Sequence, residues 1–244
     1  VNENILEVSG ATKIFGGLRA VDGVTFSVRR GEMLGIAGPN GSGKSTLFNL
    51  ITGVPFGPTS GEIRFRGERI EAWPGHRIAR HGLLRTFQKD AEFPDLSAAD
   101  TLLVCATYNG GLERKAAGER AETALEMVGL DPTRTHLPSR YLSVYEKKQL
   151  MIASALVSEP HLLMLDEPAS GLTKPEIQQL DALLVAINRT GVTVLLIEHV
   201  LSLLLSVSER LIVLNQGKVL AEGTPDEVVA NPAVITAYLG GRTS

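Results

Sequence analysis

Apolar residues gather along this chain in short unbroken runs. Met33-Leu34-Gly35-Ile36-Ala37, Leu83-Leu84-Arg85-Thr86-Phe87, Leu162-Leu163-Met164-Leu165 and Val192 to Ile197 are each the length of a strand. Their near-continuous apolar character is that of parallel strands covered on both faces. Each run hands over to polar residues at its C-terminal end: the glycine-rich segment from Gly38, Gln88, Asp166-Glu167 and Glu198-His199. Open parallel sheets bind ligands outside the carboxyl ends of their strands, so the four ends can converge on one site. Between the runs, Pro175 to Ile187 places Ile177, Leu180, Leu183, Leu184 and Ile187 on one helical face, with Pro175 suited to the first turn.

Two other segments alternate polar and apolar residues, Thr25-Phe26-Ser27-Val28 and Glu62-Ile63-Arg64-Phe65-Arg66. Alternation marks half-buried antiparallel strands, which predicts a small antiparallel layer beside the parallel sheet. From Lys89 to Val157 helical signals replace strand signals. Ala116 to Val128 closes at Gly129, and Ser143 with Glu146 forms a capping box ahead of Leu150, Met151 and Ala155. A second box, Thr224-Pro225-Asp226-Glu227, precedes an apolar stripe of Val234, Ile235, Tyr238 and Leu239. The expected fold is α/β: a mostly parallel sheet, an antiparallel β layer and a helical subdomain inserted at about 89–157, all in one unit spanning 1–244. No internal repeat, low-complexity segment or flexible linker interrupts it.

Composition narrows the setting. The chain of 244 residues, 43% hydrophobic, can bury a sizeable core. Its formal net charge of -3 is small and evenly spread, which gives no argument for a nucleic-acid partner. The single cysteine, Cys105, cannot form an internal disulfide, and its apolar neighbours suit a structural thiol. The N-terminal residues lack the basic-then-apolar layout of a signal peptide. No stretch of 18 apolar residues exists either: the strongest candidate, Val192 to Val207, carries Glu198 and His199 in its middle. The chain is expected not to span a membrane.

The sharpest chemical signal is Gly38-Pro39-Asn40-Gly41-Ser42-Gly43-Lys44-Ser45-Thr46, which contains G-x-x-x-x-G-K-[ST] between a predicted strand and a helix carrying Leu47, Leu50 and Ile51 and stopped by Gly53. Glycines let backbone N–H groups wrap phosphates, the helix N-terminus favours their charge, Lys44 reaches the outer phosphates and the Ser45 hydroxyl is placed for Mg2+. The bland alternative is a glycine-rich turn that binds nothing, and the strand and helix on either side argue against it. A nucleoside triphosphate is the expected ligand. Asp166, at the end of a buried strand, would hold the Mg2+ shell with Ser45, since Mg2+ takes hard oxygens and keeps several waters. Glu167 beside it is the general-base candidate for water attacking a terminal phosphate. The bland reading of this pair is a helix cap.

The ordered set of phosphate loop, Gln88, Leu142 to Glu146, Leu162-Leu163-Met164-Leu165-Asp166-Glu167-Pro168 and His199 resembles the ATP-binding subunits of ABC transporters, over nearly the whole chain. The resemblance extends to the P-loop, RecA-like form of the α/β fold. It is closest to the ATPases of branched-chain amino acid importers, through Phe15 to Val24, Arg85-Thr86-Phe87-Gln88, Asn215-Gln216-Gly217 and Asn231 to Gly240, although importer ATPases for urea or amides share much of this. The resemblance implies ATP and Mg2+ as cofactors. It implies catalytic roles for Glu167, His199 and Gln88, the last also at the metal, and a switch contact from His199 to the terminal phosphate. Phe15 would stack on adenine, unless it is a core residue. His76, His81, His136 and His161 have no metal-ligand spacing and read as solvated or structural.

The signature is where this chain departs from the family's L-S-G-G-Q. It reads Leu142-Ser143-Val144-Tyr145-Glu146, and Thr173 stands where the following dimer-contact loop usually carries an aspartate. Tyr145 would bring a side chain to a place where backbone approaches a second subunit's phosphate, and a positive φ there would be strained. An uncompensated Glu146 about 5 Å from a phosphate would cost about 3 kcal/mol at an effective dielectric near 20, with Lys147 and Lys148 nearby to offset it. The other reading is a tolerated variant held in shape by its capping box. The resemblance implies an ATP-hydrolysing subunit peripheral on the cytoplasmic face of the inner membrane. Its partners would be a second ABC ATPase subunit, with a heterodimer favoured by the altered signature, a pair of membrane permease subunits and, indirectly, a solute-binding protein. An exporter or lipid-transport ATPase, or a nucleotide-binding regulatory subunit with weak turnover, is the alternative.

Overall fold

The structure is a computed structural model describing residues 3–86, 93–108 and 112–240. In chain order its elements are β1 (Asn4–Phe15), β2 (Leu18–Arg29), β3 (Met33–Ala37), α1 (Lys44–Thr52), β4 (Ser60–Phe65), β5 (Glu68–Arg69), α2 (Gly75–Arg80), β6 (Leu83–Arg85), α3 (Ala98–Tyr108), α4 (Arg114–Val128) and α5 (Val144–Leu156). There follow β7 (Leu162–Asp166), α6 (Lys174–Arg189), β8 (Thr193–Ile197), α7 (Leu201–Val207), β9 (Arg210–Asn215), β10 (Lys218–Gly223), α8 (Pro225–Ala230) and α9 (Pro232–Gly240).

The strands form two sheets. A six-stranded sheet runs β10-β9-β3-β8-β7-β6, parallel throughout except for the β9/β10 hairpin at its edge. A four-stranded antiparallel sheet runs β2-β1-β4-β5 and is the predicted second layer. All five residues of β3, β7 and β8 are buried. Successive side chains of these strands serve opposite faces. Leu34, Ile36, Leu162, Met164, Leu195 and Ile197 enter one core with the antiparallel sheet and Leu47, Phe48, Leu50 and Ile51 of α1. Met33, Ala37, Leu163, Leu165, Val194 and Leu196 enter the other, under α5, α6 and α7.

On α6 the expected stripe is buried at Leu180, Leu183, Leu184 and Ile187. Each such side chain contributes about 1.5–3 kcal/mol on burial. Helices α3, α4 and α5 pack on one another between β6 and β7 in the chain. Gly129 closes α4 in the left-handed conformation, φ 67°. Cys105 is half-buried on α3, and burial pushes its thiol up. In the C-terminal stripe only part of the pattern is used: Val234 is buried, whereas Ile235 and Tyr238 remain exposed. Among the described residues, no helix is long and apolar enough to cross a membrane.

Candidate functional site

The site lies at the carboxyl end of the parallel sheet. Strand β3 runs into a loop in which Gly38, Gly41 and Gly43 all have positive φ, and α1 begins at Lys44. Two of these glycines are required by close approach. A Cβ on Gly38 would lie 2.3 Å from the Leu214 carbonyl oxygen, and one on Gly43 would lie 2.5 Å from that of Ala20. The loop is pinned from the β9/β10 turn, where Gly217 N–H donates to the Ser42 carbonyl (3.0 Å). That turn has positive φ at both Gln216 (49°) and Gly217 (78°), as a two-residue hairpin connection requires.

Lys44 is 6% exposed and curls back over the loop, where Nζ donates to the carbonyls of Gly38 (2.8 Å) and Pro39 (3.1 Å). Burial lowers its pKa, opposed by the charges of Glu167 and Asp166. The loop opens on a cleft of about 870 Å³ lined by Asn40 to Thr46, Glu167, the β9/β10 turn and, at its lip, Phe15 and Arg19. Phe15 is 42% exposed and meets Phe56 edge-on at 5.1 Å, with the Lys13 ammonium 5.4 Å from its ring. It is a surface platform, not a core residue.

Asp166 ends β7 at 2% exposure. Its Oδ2 accepts from Arg85 Nη2 (2.7 Å), while Oδ1 is buried with no hydrogen-bond partner. A buried anionic oxygen left unpartnered beside a phosphate loop is the donor expected for a hydrated Mg2+. Mg2+ takes hard oxygens and keeps several waters, so it asks few donors of the protein. Asp166 and Ser45 therefore fit the ion. Gln88, assigned both to the metal and to catalysis, lies outside the described residues.

Glu167 follows with φ 51°, a left-handed conformation that costs a non-glycine residue about 1–2 kcal/mol and turns its carboxylate out of the strand direction. Its N–H donates to the Ile197 carbonyl (2.8 Å), which joins the ends of β7 and β8. His199, at the end of β8, then brings Nδ1 to 3.2 Å from Glu167 Oε1. Its side chain remains half-exposed.

Ser143, Val144, Tyr145 and Glu146 do not line this cleft. Ser143 caps α5: its Oγ accepts from Glu146 N–H (3.2 Å), and Glu146 Oε2 accepts from Ser143 N–H (2.6 Å). Tyr145 has no positive φ, because α5 already starts at Val144, and its partly buried ring packs against the helical core. The cation paired with Glu146 is Arg134, not a following lysine. Burial pushes Glu146 up, but the Ser143 N–H and the Arg134 guanidinium outweigh it and hold the carboxyl below the usual range. Val144 remains 47% exposed, its methyl 3.6 Å from where a Gly171 Cβ would stand. Thr173 opens α6, where its N–H and hydroxyl both donate to Glu176 (2.7 Å each).

Arg85 was not singled out from sequence. It binds Asn49 Oδ1 of α1 (2.6 Å) as well as Asp166, and lies 5.4 Å from the Phe48 ring. A cation inside the apolar run Leu83 to Phe87 was the available signal.

A phosphate loop heading a two-faced parallel sheet, with an acidic pair and a histidine at neighbouring strand ends and a helical unit inserted in the chain between, defines a P-loop ATPase of the ATP-binding cassette type. The ABC transporter family matches residues 21–170, and the chain belongs to that family. A second family, described as branched-chain amino acid ATP-binding cassette transporter, matches residues 218–243. The high-affinity branched-chain amino acid transport ATP-binding protein BraF of Pseudomonas aeruginosa is 42% identical, covering 97% of this chain and 98% of its own. Its counterpart LivG of Escherichia coli is 40% identical, with 98% and 99% covered. Among solved structures, an ATP-binding cassette of an ABC transporter in its ADP conformation superposes with a TM-score of 0.87 at 29% identity, over 97% of this chain and 99% of that one.

Proposed function

We propose that this chain is the ATP-hydrolysing subunit of an importer of branched-chain amino acids, bound peripherally to permease subunits at the cytoplasmic face of the membrane. The observation that carries the chemistry is the Glu167–His199 pair, set at adjoining strand ends beside a complete phosphate loop. The full-length likeness to BraF and LivG supports the solute class.

The loop N–H groups and Lys44 hold the triphosphate, with Asp166 and Ser45 holding Mg2+, which when bound neutralises phosphate charge. Glu167 accepts the proton of the attacking water. His199 orients that carboxylate through Nδ1, and the Nε2 edge of its half-exposed ring remains for a phosphate oxygen. The signature, turned away from the chain's own cleft, serves a second ATPase subunit. Val144 and Tyr145 in place of two glycines, and Glu146 in place of a glutamine, support a partner of different sequence, and so two unequal sites. The test is uptake of radiolabelled leucine into proteoliposomes holding this chain, its second ATPase, the permease pair and the binding protein. ATP-dependent uptake that is abolished by Glu167→Gln is expected. ATP hydrolysis without uptake of any branched-chain amino acid would overturn the solute assignment.

A further inference from the structure

Glu198 is fully buried, and its carboxylate has no cation within salt-bridge distance among the described residues. Its partners are backbone amides from two loops. Oε1 accepts from Ala169 N–H (2.6 Å), two residues beyond Glu167, and Oε2 accepts from His199 N–H (3.1 Å) and Val200 N–H (3.2 Å). Burial pushes this carboxyl up against the pull of the three N–H donors and of His199. An apolar residue would fill the same space without that desolvation cost, so the carboxylate's use must lie in what it joins. It joins the loop holding the general base, and leading to Ser170-Gly171-Leu172, with the backbone that presents the histidine.

We propose that Glu198 is a positioning residue: its buried carboxylate braces the Glu167 loop against the His199 loop and thereby aligns the base and the switch histidine with each other. The proposal rests on the roles given above to Glu167 and His199. Ala169 N–H and Ile197 C=O are the two struts, since Glu167 N–H already holds Ile197. Only a group that accepts at both ends closes the frame. Glutamine cannot: its oxygen can serve either the His199/Val200 pair or Ala169, and its NH2 must then face an N–H. Two acceptor bonds against one favour keeping the oxygen with His199 and Val200.

The test begins on the nucleotide-free chain, by amide hydrogen exchange. In the parent, Ala169, His199 and Val200 amides should be slow; rapid exchange at Ala169 overturns the proposal without any variant. In Glu198→Gln, Ala169 should exchange at least tenfold faster, with His199 and Val200 changed less than twofold. In the assembled transporter the same variant should lose about tenfold in kcat, while the ATP Kd stays within twofold. Combined with His199→Ala, Glu198→Gln should cost less than a further twofold. Parent-like turnover in Glu198→Gln, or an undiminished tenfold loss in the His199→Ala background, overturns the brace. If Glu167→Gln and His199→Ala are themselves without effect, the functional reading fails instead, and the exchange result still stands by itself.

Discussion

Removing the Arg85 charge tests how the catalytic end of the sheet is held. Arg85 and Asp166 have side chains 6% and 3% exposed and meet at 2.7 Å. At about 4 Å between charge centres and an effective dielectric of 20, their attraction is about 4 kcal/mol, comparable with the cost of desolvating them. The intact pair therefore contributes little net stability. Arg85→Met nevertheless keeps the bulk and leaves a buried carboxylate without its cation, and Asn49 Oδ1 without a charged donor, at a cost of about 3–5 kcal/mol. For a chain of this size that is a fall of roughly 10 °C in Tm. Urea unfolding in EDTA without nucleotide is the assay, because ligand binding would add to native stability. Arg85→Met with Asp166→Asn should recover at least about 2 kcal/mol, since no unpaired charge remains. A loss below about 1 kcal/mol in the single variant, or a double variant no more stable than Arg85→Met, would refute this account.

Four further outcomes are expected. Lys44→Ala should weaken ATP binding at least about tenfold, about 1.4 kcal/mol, by calorimetric titration; unchanged affinity removes the phosphate-loop assignment. Glu167→Gln should keep ATP affinity within about threefold while cutting turnover at this chain's site about 100-fold or more, and should yield a persistent ATP-bound dimer by light scattering when the correct partner is present. Tyr145→Gly should raise turnover at the partner's site, read with the partner's general base intact and Glu167→Gln in this chain; slower turnover means that the tyrosine is a tolerated variant and the asymmetry is wrong. Glu146→Gln should cost about 1 kcal/mol at pH 7 by urea unfolding, through the weakened cap and lost Arg134 pair. Because folding depresses the Glu146 pKa below its ordinary 4.5, that contribution is complete above pH 4.5 and is lost as pH falls through the lower folded value, so parent and variant should converge in acid.

The elements legible in the sequence are those whose environment leaves a periodic trace. Strands β3, β7 and β8 are covered on both faces and read as apolar runs, α6 shows its stripe, and α5 and α8 announce themselves by capping boxes. Strand β1 escaped notice because its pairing with β2 shifts register repeatedly around Gly10, which breaks the alternation. The β9/β10 hairpin was hidden because Gln216-Gly217 is an unusual pair for a turn needing φ > 0 twice. In the site, the phosphate loop is a local pattern and could be read directly. Arg85 and Glu198 act through partners 81 and 29 residues away, and only the sheet order brings these together. The place of Tyr145 is legible too: the Ser143/Glu146 capping box marks where α5 begins and so puts Tyr145 inside the helix.

Parallel pairing of β6 with β7 gives the helical unit a particular mechanical mounting. The chain leaves β6 at the nucleotide end of the sheet and enters β7 at the opposite end, and α5 spans the height between, with Val144 at its head beside Gly171, beyond the carboxyl end of β7, and Leu156 at its foot near Pro160 and His161, ahead of β7. Its 13 residues make a rod of about 20 Å. A 10° tilt about the foot carries the head roughly 3.5 Å by that rod length, further than the roughly 0.5 Å by which accepted hydrogen-bond lengths vary. Mounted this way, α5 is a pointer: angular changes too small to unpack its base are enough to shift Ser143 by more than the tolerance of a hydrogen bond.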